Sequence, residues 1–345
     1  MLTTGQMPAT NPSPKLNIII VSWNTKDLLR DCLRTLPRRT PEFPFEVIVI
    51  DNASNDGSPE MVAAQFPEVR LLRNSENVGF ARANEQAAAL AHGEYLLLLN
   101  SDTLLQEPDI LKRWVDYMDR HPAVGVSGCQ LLWPDGRHQV GDAGFRPSLR
   151  SLLGHFWSLS SLAFSVFPPL FLGRRRFREP IDVDWVSGAA CLVRRSILPR
   201  TGFLESRIFM YAEDIEWCCR IRDHGYRITY LPQVHIVHLQ GGSSRKQTAA
   251  GFPVLWLANL RALYFLHNPR EPRFVFDSVV AVGLAVRIAI YSLGVLGPHR
   301  SRTRERIRHL ERYLRYLLAK FGRPATALYA RPDDAARRSA TGAAV

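Results

Sequence analysis

Short apolar runs alternate with helical stripes along the first hundred positions. Leu16 to Val21 (LNIIIV), Phe45 to Ile50 (FEVIVI), Val69 to Leu72 and Glu94 to Leu99 are rich in β-branched residues or leucine and read as strands. Between the first two, Leu28, Leu29, Cys32, Leu33 and Leu36 fall on one stripe of a helix from Lys26 to Leu36, which Pro37 stops. Ser58-Pro59 reads as a helix cap followed by Pro at the first helical position. Asn77-Val78-Gly79-Phe80-Ala81 opens a helix that runs through Ala91. Strand and helix repeat in turn, which predicts an α/β fold with a mostly parallel sheet and helices on both faces. Four consecutive leucines after Tyr95 suit a strand buried on both sides. Past Asp102 the period changes. Leu111 to Met118 predicts a helix, Val124 to Leu132 a strand and Trp133-Pro134-Asp135-Gly136 a hairpin turn. Gly225 to Pro232 reads as a further strand and Val254 to Leu266 as a helix.

Each early strand ends in polar residues: Ser22-Trp23-Asn24, Asp51, Arg73 and Asn100-Ser101-Asp102. In open α/β sheets the carboxyl edge of the strands is where ligands bind. Ser22, Asn24, Asp51, Arg73 and Asp102 are therefore expected to line one crevice. Asn100 and Asp102 fall on one side of an extended chain. A carboxylate beside an amide oxygen suits a hard divalent cation held against substrate phosphates. The competing use of Asp102 is to cap the helix near Pro108. The Asp51 carboxylate suits hydrogen bonds from a nucleobase or ribose hydroxyl. No G-x-G-x-x-G follows Val21, and no G-x-x-x-x-G-K-[ST] occurs anywhere, so dinucleotide and P-loop readings lose support.

Four stretches carry a resemblance: Ile18 to Asn24 (IIIVSWN), Val49 to Ser58 (VIDNASNDGS), Asn77 to Asn84 (NVGFARAN) and Leu98 to Asp102 (LLNSD). Together they resemble family 2 glycosyltransferases of the GT-A fold, and within it the bacterial rhamnosyltransferase-like branch. The likeness covers roughly residues 16 to 245. It implies that Asp51 and Ser22 to Asn24 contact the nucleoside, and that Asp102 binds the metal bridging the donor diphosphate. The common family pattern there is Asp-x-Asp; here Asn100 stands first. The donor nucleotide-binding set expected on this basis is Ser22, Trp23, Asn24, Asp51, Asn52, Arg73, Asn77, Gly79, Arg82, Asn100, Ser101 and Asp102.

The resemblance extends to three later segments. Asp184 to Arg195 (DWVSGAACLVRR) looks like the acceptor-side strand. Gly188 and Ala189 leave room for a sugar, and Trp185 is either a stacking platform for a pyranose or a core residue. Phe209 to Arg220 (FMYAEDIEWCCR) resembles the family's acidic catalytic motif, in which the Asp takes the acceptor hydroxyl proton. That role falls to Asp214, with Glu213 as runner-up. The competing role for these carboxylates is to complement the dipole at the start of a helix. His238-Leu239-Gln240-Gly241-Gly242-Ser243 resembles the closing motif, whose His completes the metal site in some relatives. The cofactor expected is a divalent metal, Mg²⁺ or Mn²⁺, and imidazole favours Mn²⁺. Gly241 to Arg245 is expected as a lid, with Arg245 and Lys246 meeting the diphosphate charge.

Composition adds a partner. The 44 basic side chains against 32 acidic give +12, which favours an anionic partner: nucleic acid, phosphorylated substrate or anionic lipid. No nucleic-acid motif accompanies that charge. The five cysteines form no C-x-x-C pair, so neither a disulfide framework nor a zinc site is expected. Residues 1 to 15 lack an apolar h-region and read as a disordered lead, not a signal peptide. Leu149 to Leu172 is apolar and is followed by Arg174-Arg175-Arg176 and Arg178. It reads either as an interfacial loop on an anionic membrane or as a core helix. Phe274 to Leu296 is long enough to span a bilayer, but Asp277 and Arg287 interrupt it, so an interfacial or domain-packed helix is expected. Residues 300 to 323 form a basic amphipathic helix suited to a membrane surface.

The expected organisation is a lead (1–15), a GT-A glycosyltransferase domain (16–250), a C-terminal helical membrane-associating region (251–330) and a disordered tail (331–345). The catalytic domain divides into a nucleotide-binding half (16–104) and an acceptor-binding half (105–250) that carries the apolar and basic insert 149–178. The expected activity is inverting, metal-dependent transfer of a sugar to a hydroxyl of a glycan or polyprenyl-diphosphate-linked acceptor, at the cytoplasmic face of the membrane. The first donor to consider is dTDP-L-rhamnose, and a UDP-sugar is the alternative. Two other classes compete. A nucleotidyltransferase would have no use for Glu213-Asp214, and a non-catalytic glycan-binding scaffold would not need both Asp102 and Asp214.

Overall fold

The computed structural model describes residues 13–36, 43–107, 109–173, 177–208, 210–239, 252–293 and 300–324. Pro37, Pro108, Arg174 to Arg176, the expected lid from Gly241 with Arg245 and Lys246, residues 1–12 of the lead and the whole tail lie outside them.

The strands in chain order are β1 (Leu16–Ser22), β2 (Phe45–Asp51), β3 (Arg70–Arg73), β4 (Tyr95–Asn100), β5 (Thr103–Leu104), β6 (Val124–Leu132), β7 (Ala143–Gly144), β8 (Ile181–Val183), β9 (Trp185–Val186), β10 (Ala190–Arg194) and β11 (Arg227–His238). β3, β2, β1 and β4 pair parallel in that order. Their apolar runs are buried on both faces because side chains alternate. Ile18, Ile20, Leu97 and Leu99 join one core cluster, while Ile19, Leu96 and Leu98 join the other. Helix α1 (Lys26–Thr35) buries Leu29, Cys32 and Leu33 against the first face. Helices α2 (Ser58–Gln65) and α3 (Phe80–Ala88) follow, and Ala81, Ala83 and Ala87 of α3 cover the second face.

The cap predicted at Ser58 is corrected. Gly57 takes the cap position with φ +80°, and Ser58 is already helical. The Asp56 carboxylate satisfies the helix start, accepting from Ser58 N at 3.0 Å and Ser58 Oγ at 2.5 Å.

Beyond β4 the sheet turns mixed. β10 lies antiparallel between β4 and β6, and β11 runs parallel to β6. The short β5 pairs with the end of β11, placing His238 opposite Thr103. That pairing brings a residue from late in the chain to the Asp102 turn. Helix α4 (Ile110–Arg120) backs this half, and Gly136 N donates to Trp133 O at 2.8 Å, closing the expected hairpin turn. All five cysteines are free and buried.

The apolar segment 149–172 divides between a core-packed helix and exposed apolar side chains. Helix α5 (Leu149–Phe156) buries Leu152 and Phe156, whereas Leu162 (84% exposed) and Val166 face outward. After the short α6 (Leu198–Thr201) and α7 (Glu213–Asp223), helices α8 (Phe252–His267), α9 (Arg273–Leu293) and α10 (Arg300–Lys320) build a third core with α5. Helix α9 is long and apolar enough to cross a membrane by length and composition. It packs Phe276, Val280 and Leu284 into this core. Its two interrupting charges are satisfied inside the protein. Asp277 accepts from Arg261 Nε and Nη2 at 2.6 and 2.9 Å, both side chains being buried, and Arg287 donates to the His155 carbonyl.

Candidate active site

A cavity of about 620 Å³ opens where β1 and β4 end, large enough for a nucleotide-sugar-sized ligand. On its donor side the lining includes Trp23, Asn52, Asn77, Gly79, Asn100, Ser101 and Asp102. Gly79 adopts φ +88° and ψ 169°, a conformation that only glycine enters readily. Asn77 Oδ1 holds its N–H at 3.0 Å, and Asn52 Nδ2 donates to its carbonyl at 3.3 Å. Asn52 in turn accepts from Asn74 Nδ2 at 2.8 Å.

Other expected donor residues sit behind this wall. Ser22 Oγ bonds Thr25 Oγ1, which bonds Ser101 Oγ, each at 3.0 Å, in a buried hydroxyl chain. Asn24 latches the exit of β1 to the next loop: its N–H donates to Ser54 Oγ at 2.9 Å, and its Oδ1 accepts from Asn55 N at 2.8 Å. Asp51 is 2% exposed; its Oδ2 accepts from Ser54 N at 2.9 Å, and its Oδ1 has no partner among the described residues. Arg73 and Arg82 are not among the lining residues. Arg73 belongs to the edge strand β3 and pairs with Glu60 at 3.0 Å; Arg82 points out from α3.

Asp102 and His238 meet at the cavity floor, with Nε2 of the imidazole 3.2 Å from Asp102 Oδ1 and 3.4 Å from Asn100 Nδ2. Gln139 sets the ring's orientation. Its Oε1 lies 2.6 Å from His238 Nδ1, and its Nε2 donates to the His238 carbonyl at 3.4 Å. With Nδ1 donating to Gln139, the Nε2 lone pair faces a carboxylate oxygen. Two electron-rich atoms held this close call for a proton or a cation between them. The donor set of one carboxylate and one imidazole, with Asn100 beside them, fits a divalent cation that completes its shell with diphosphate oxygens. Among the described residues no group of three or more His, Cys, Asp or Glu forms a metal site on its own.

On the other side lie Ser187, Gly188 and Ala189. Asn100 N donates to Ala189 O at 2.9 Å, and Gly188 N donates to Asp214 Oδ2 at 3.0 Å. The strand end at 188–189 thus links the Asp102 turn to the head of α7. Trp185 is corrected: it is 1% exposed, its Nε1 donates to Leu170 O at 3.1 Å, and its ring meets Phe171 edge-on. It is a core residue because β9 is covered on its tryptophan face by the folded-back segment 164–172, so no sugar reaches the ring.

Helix α7 starts after two consecutive left-handed residues, Tyr211 (φ +69°) and Ala212 (φ +71°). Asp214 borders the cavity, and its other oxygen accepts from Ile215 N at 2.8 Å. Burial raises its pKa above the ordinary aspartate value, opposed by the N–H bonds from Gly188 and Ile215. Glu213 is 7% exposed, and its Oε2 has no partner among the described residues. Burial, and then the Asp214 charge, push it up to about 8. Burial thus makes both carboxyls at the head of α7 weaker acids than their free counterparts, and a carboxylate at Asp214 correspondingly more basic than a free aspartate.

A family model described as "Glycosyl transferase family 2" matches residues 17–202. The chain belongs to glycosyl transferase family 2. It is similar to the N-acetylglucosaminyl-diphospho-decaprenol L-rhamnosyltransferase of Mycobacterium tuberculosis, with 28% identity over 253 residues, covering 68% of this chain and 79% of that one. It is also similar to the rhamnosyltransferase WbbL of Escherichia coli, 25% identical over 249 residues and covering 68% and 87%. Among solved structures, the Pyrobaculum calidifontis mannosyltransferase PcManGT, in complex with GDP-Man and Mn²⁺, superposes with a TM-score of 0.56 at 20% identity, covering 90% of this chain and 87% of that one. This likeness shows the fold, GT-A.

The cavity of this family 2 glycosyltransferase is also lined by residues that sequence reasoning missed. Gln139, Trp133 and Val140 come from the hairpin loop, Phe80 from the start of α3, Tyr211 from the acidic motif 209–220, and Trp256 from outside the recognised motifs. Trp133 had a signal in its place in a turn, and Phe80 and Tyr211 lie within stretches that resemble the family. Gln139 sits in a loop without periodicity, and Trp256 lies past the region that resembles the family.

Proposed function

We propose that this enzyme is an inverting, divalent-metal-dependent glycosyltransferase that moves L-rhamnose from dTDP-rhamnose to a hydroxyl of a polyprenyl-diphosphate-linked glycan. The observation that carries the reading is a single cavity bordered by Asp214 and by the Asp102–His238 pair, joined through the 188–189 strand end. Asp214 takes the acceptor hydroxyl proton as the oxygen bonds to the anomeric carbon and the bond from that carbon to the diphosphate breaks. The Gly188 N–H aims the carboxylate, and a neutral Glu213 keeps a second negative charge out of its surroundings. Asp102 and His238, with Asn100, would hold a divalent cation that neutralises charge on the departing diphosphate. Asn52, Asn77 and Gly79 shape the nucleotide wall, and Asp51 Oδ1, behind that wall and without a partner among the described residues, suits a base or ribose donor. The rhamnosyl donor and the lipid-linked acceptor are supported by the names of the two relatives.

The same reading puts the enzyme on an anionic membrane at its cytoplasmic face. Val282, Val286, Ile290 and Leu293 expose an apolar stripe along α9, and Arg304, Arg306, Arg308, Arg312 and Arg315 stand exposed on α10. An apolar stripe near a basic face supports interfacial docking.

The test is thermal stabilisation by dTDP, UDP and GDP, each with Mn²⁺, Mg²⁺ or chelator, followed by transfer assays on a polyprenyl-diphosphate-linked sugar. Stabilisation by dTDP with metal is expected, because a ligand of the folded state raises its apparent stability. Stabilisation by UDP alone would replace the donor with a UDP-sugar, and a shift insensitive to chelator would remove the metal.

A further inference from the structure

The left-handed turn at 211–212 aims the head of α7, and its support comes from outside the matched family region. Two adjacent non-glycine residues with φ near +70° are sparsely populated and persist only where neighbours hold them. The neighbour is Asn259 of α8. Its Nδ2 donates to the carbonyls of both Met210 and Tyr211, each at 3.0 Å, and the side chain is buried. Carbonyl oxygens only accept, and an amide NH₂ has two hydrogens to give, so the group facing this turn must be the amide nitrogen. Helix α8 is braced behind Asn259: Trp256, one turn earlier, packs between Phe171 and Tyr313 of α10 at centroid distances of 5.5 and 5.9 Å. The catalytic turn is thus fastened to the helical core through Asn259 as well as to the sheet through the Gly188–Asp214 bond.

We propose that Asn259 is a positioning residue for Asp214, so that the C-terminal helical region is part of the catalytic apparatus; this rests on Asp214 being the base. When the clamp is lost, the 210–212 backbone relaxes toward ordinary φ. The first turn of α7 then rotates, and the Asp214 bond to Gly188 N is strained or broken.

The test uses the full-length protein with nucleotide-sugar donor and acceptor. In Asn259→Ala, kcat is expected to fall roughly 10- to 100-fold, as misplacement of a reacting group by a fraction of an ångström to one ångström does. The donor KM and the nucleotide-dependent thermal shift should stay within about twofold, because Asn259 bonds the 210–211 backbone and acts on the head of α7, which carries the proposed base. Adding Ala212→Gly to Asn259→Ala should recover at least about fivefold of kcat, since glycine takes positive φ without a Cβ penalty. Asn259→Ser, which keeps one donor, should fall between wild type and Ala and serves if the Ala variant does not fold. An unchanged kcat in Asn259→Ala or, failing that, in Asn259→Ser would overturn the proposal. So would equal losses in kcat and donor binding, or no recovery in the double variant. The base reading fails separately: full turnover in Asp214→Asn removes it whatever Asn259 does, whereas an inactive Asp214→Asn beside a fully active Asn259→Ala removes only the clamp.

Discussion

Replacing Glu213 with Gln separates the two carboxyls at the head of α7. The folded protein holds Glu213 at about 8 through burial and the adjacent Asp214 charge, against an ordinary value of 4.5. Between these two values the folded state binds a proton that the unfolded chain releases. Stability from this group is therefore fully present below pH 4.5 and is lost as pH rises toward 8. At about 1.4 kcal/mol per pH unit, that interval amounts to on the order of 5 kcal/mol. Gln has nearly the same shape and no proton to lose. Urea unfolding at pH 5.5 and 8.5 should show wild type losing a few kcal/mol more than Glu213→Gln between the two conditions. At pH 7 Glu213 is already neutral, so turnover of the Gln variant should stay within roughly threefold of wild type, while Asp214→Asn falls by at least about 10²-fold. Parallel stability profiles for wild type and Glu213→Gln would refute the bound proton. An inactive Glu213→Gln beside an active Asp214→Asn would transfer the base to Glu213.

Mn²⁺ or Mg²⁺ should raise the unfolding temperature only together with a nucleoside diphosphate, because the protein supplies few ligands of its own. Asp102→Ala and His238→Ala should each abolish the metal-dependent part, and its survival in either would remove that residue from the site. Trp185→Phe is expected to lower stability by about 1–3 kcal/mol through the orphaned Leu170 carbonyl and to leave the acceptor KM within twofold; a raised KM would return the ring to the acceptor site. Asp277→Ala leaves Arg261 buried without its carboxylate and should cost about 3–5 kcal/mol in urea unfolding, with Arg261→Met/Asp277→Leu recovering most of it; an undiminished stability in Asp277→Ala would show the pair to be solvated.

What the sequence made legible follows from which forces are local. Strands buried on both faces must be continuous apolar runs, so β1, β2 and β4 could be read directly, and the polar residues at their exits marked the ligand edge. The Asp102 turn belonged to that pattern. Arg73 obeyed the same pattern yet misses the cavity, because strand order, which local sequence does not encode, put β3 at the sheet edge. The insertion of β10 between β4 and β6 is likewise a long-range choice, and it is what carries Gly188 to Asp214 and Ala189 to Asn100. Trp185 shows the limit for single aromatics: beside Gly188 and Ala189 it looked like a sugar platform, but which face of β9 is covered depends on a segment that folds back from residue 164 onward. Charges within apolar helices fall between these cases. Asp277 in α9 announced that a partner must exist, since a lone carboxylate in that setting is strongly disfavoured. Its partner became visible only once α8 and α9 packed side by side and set Arg261 against it. Asn259 lies two residues before that arginine on the same helix, neutral and without periodic signal. Nothing local distinguishes it from a solvated amide, and only the two carbonyls of the strained turn opposite give it a function.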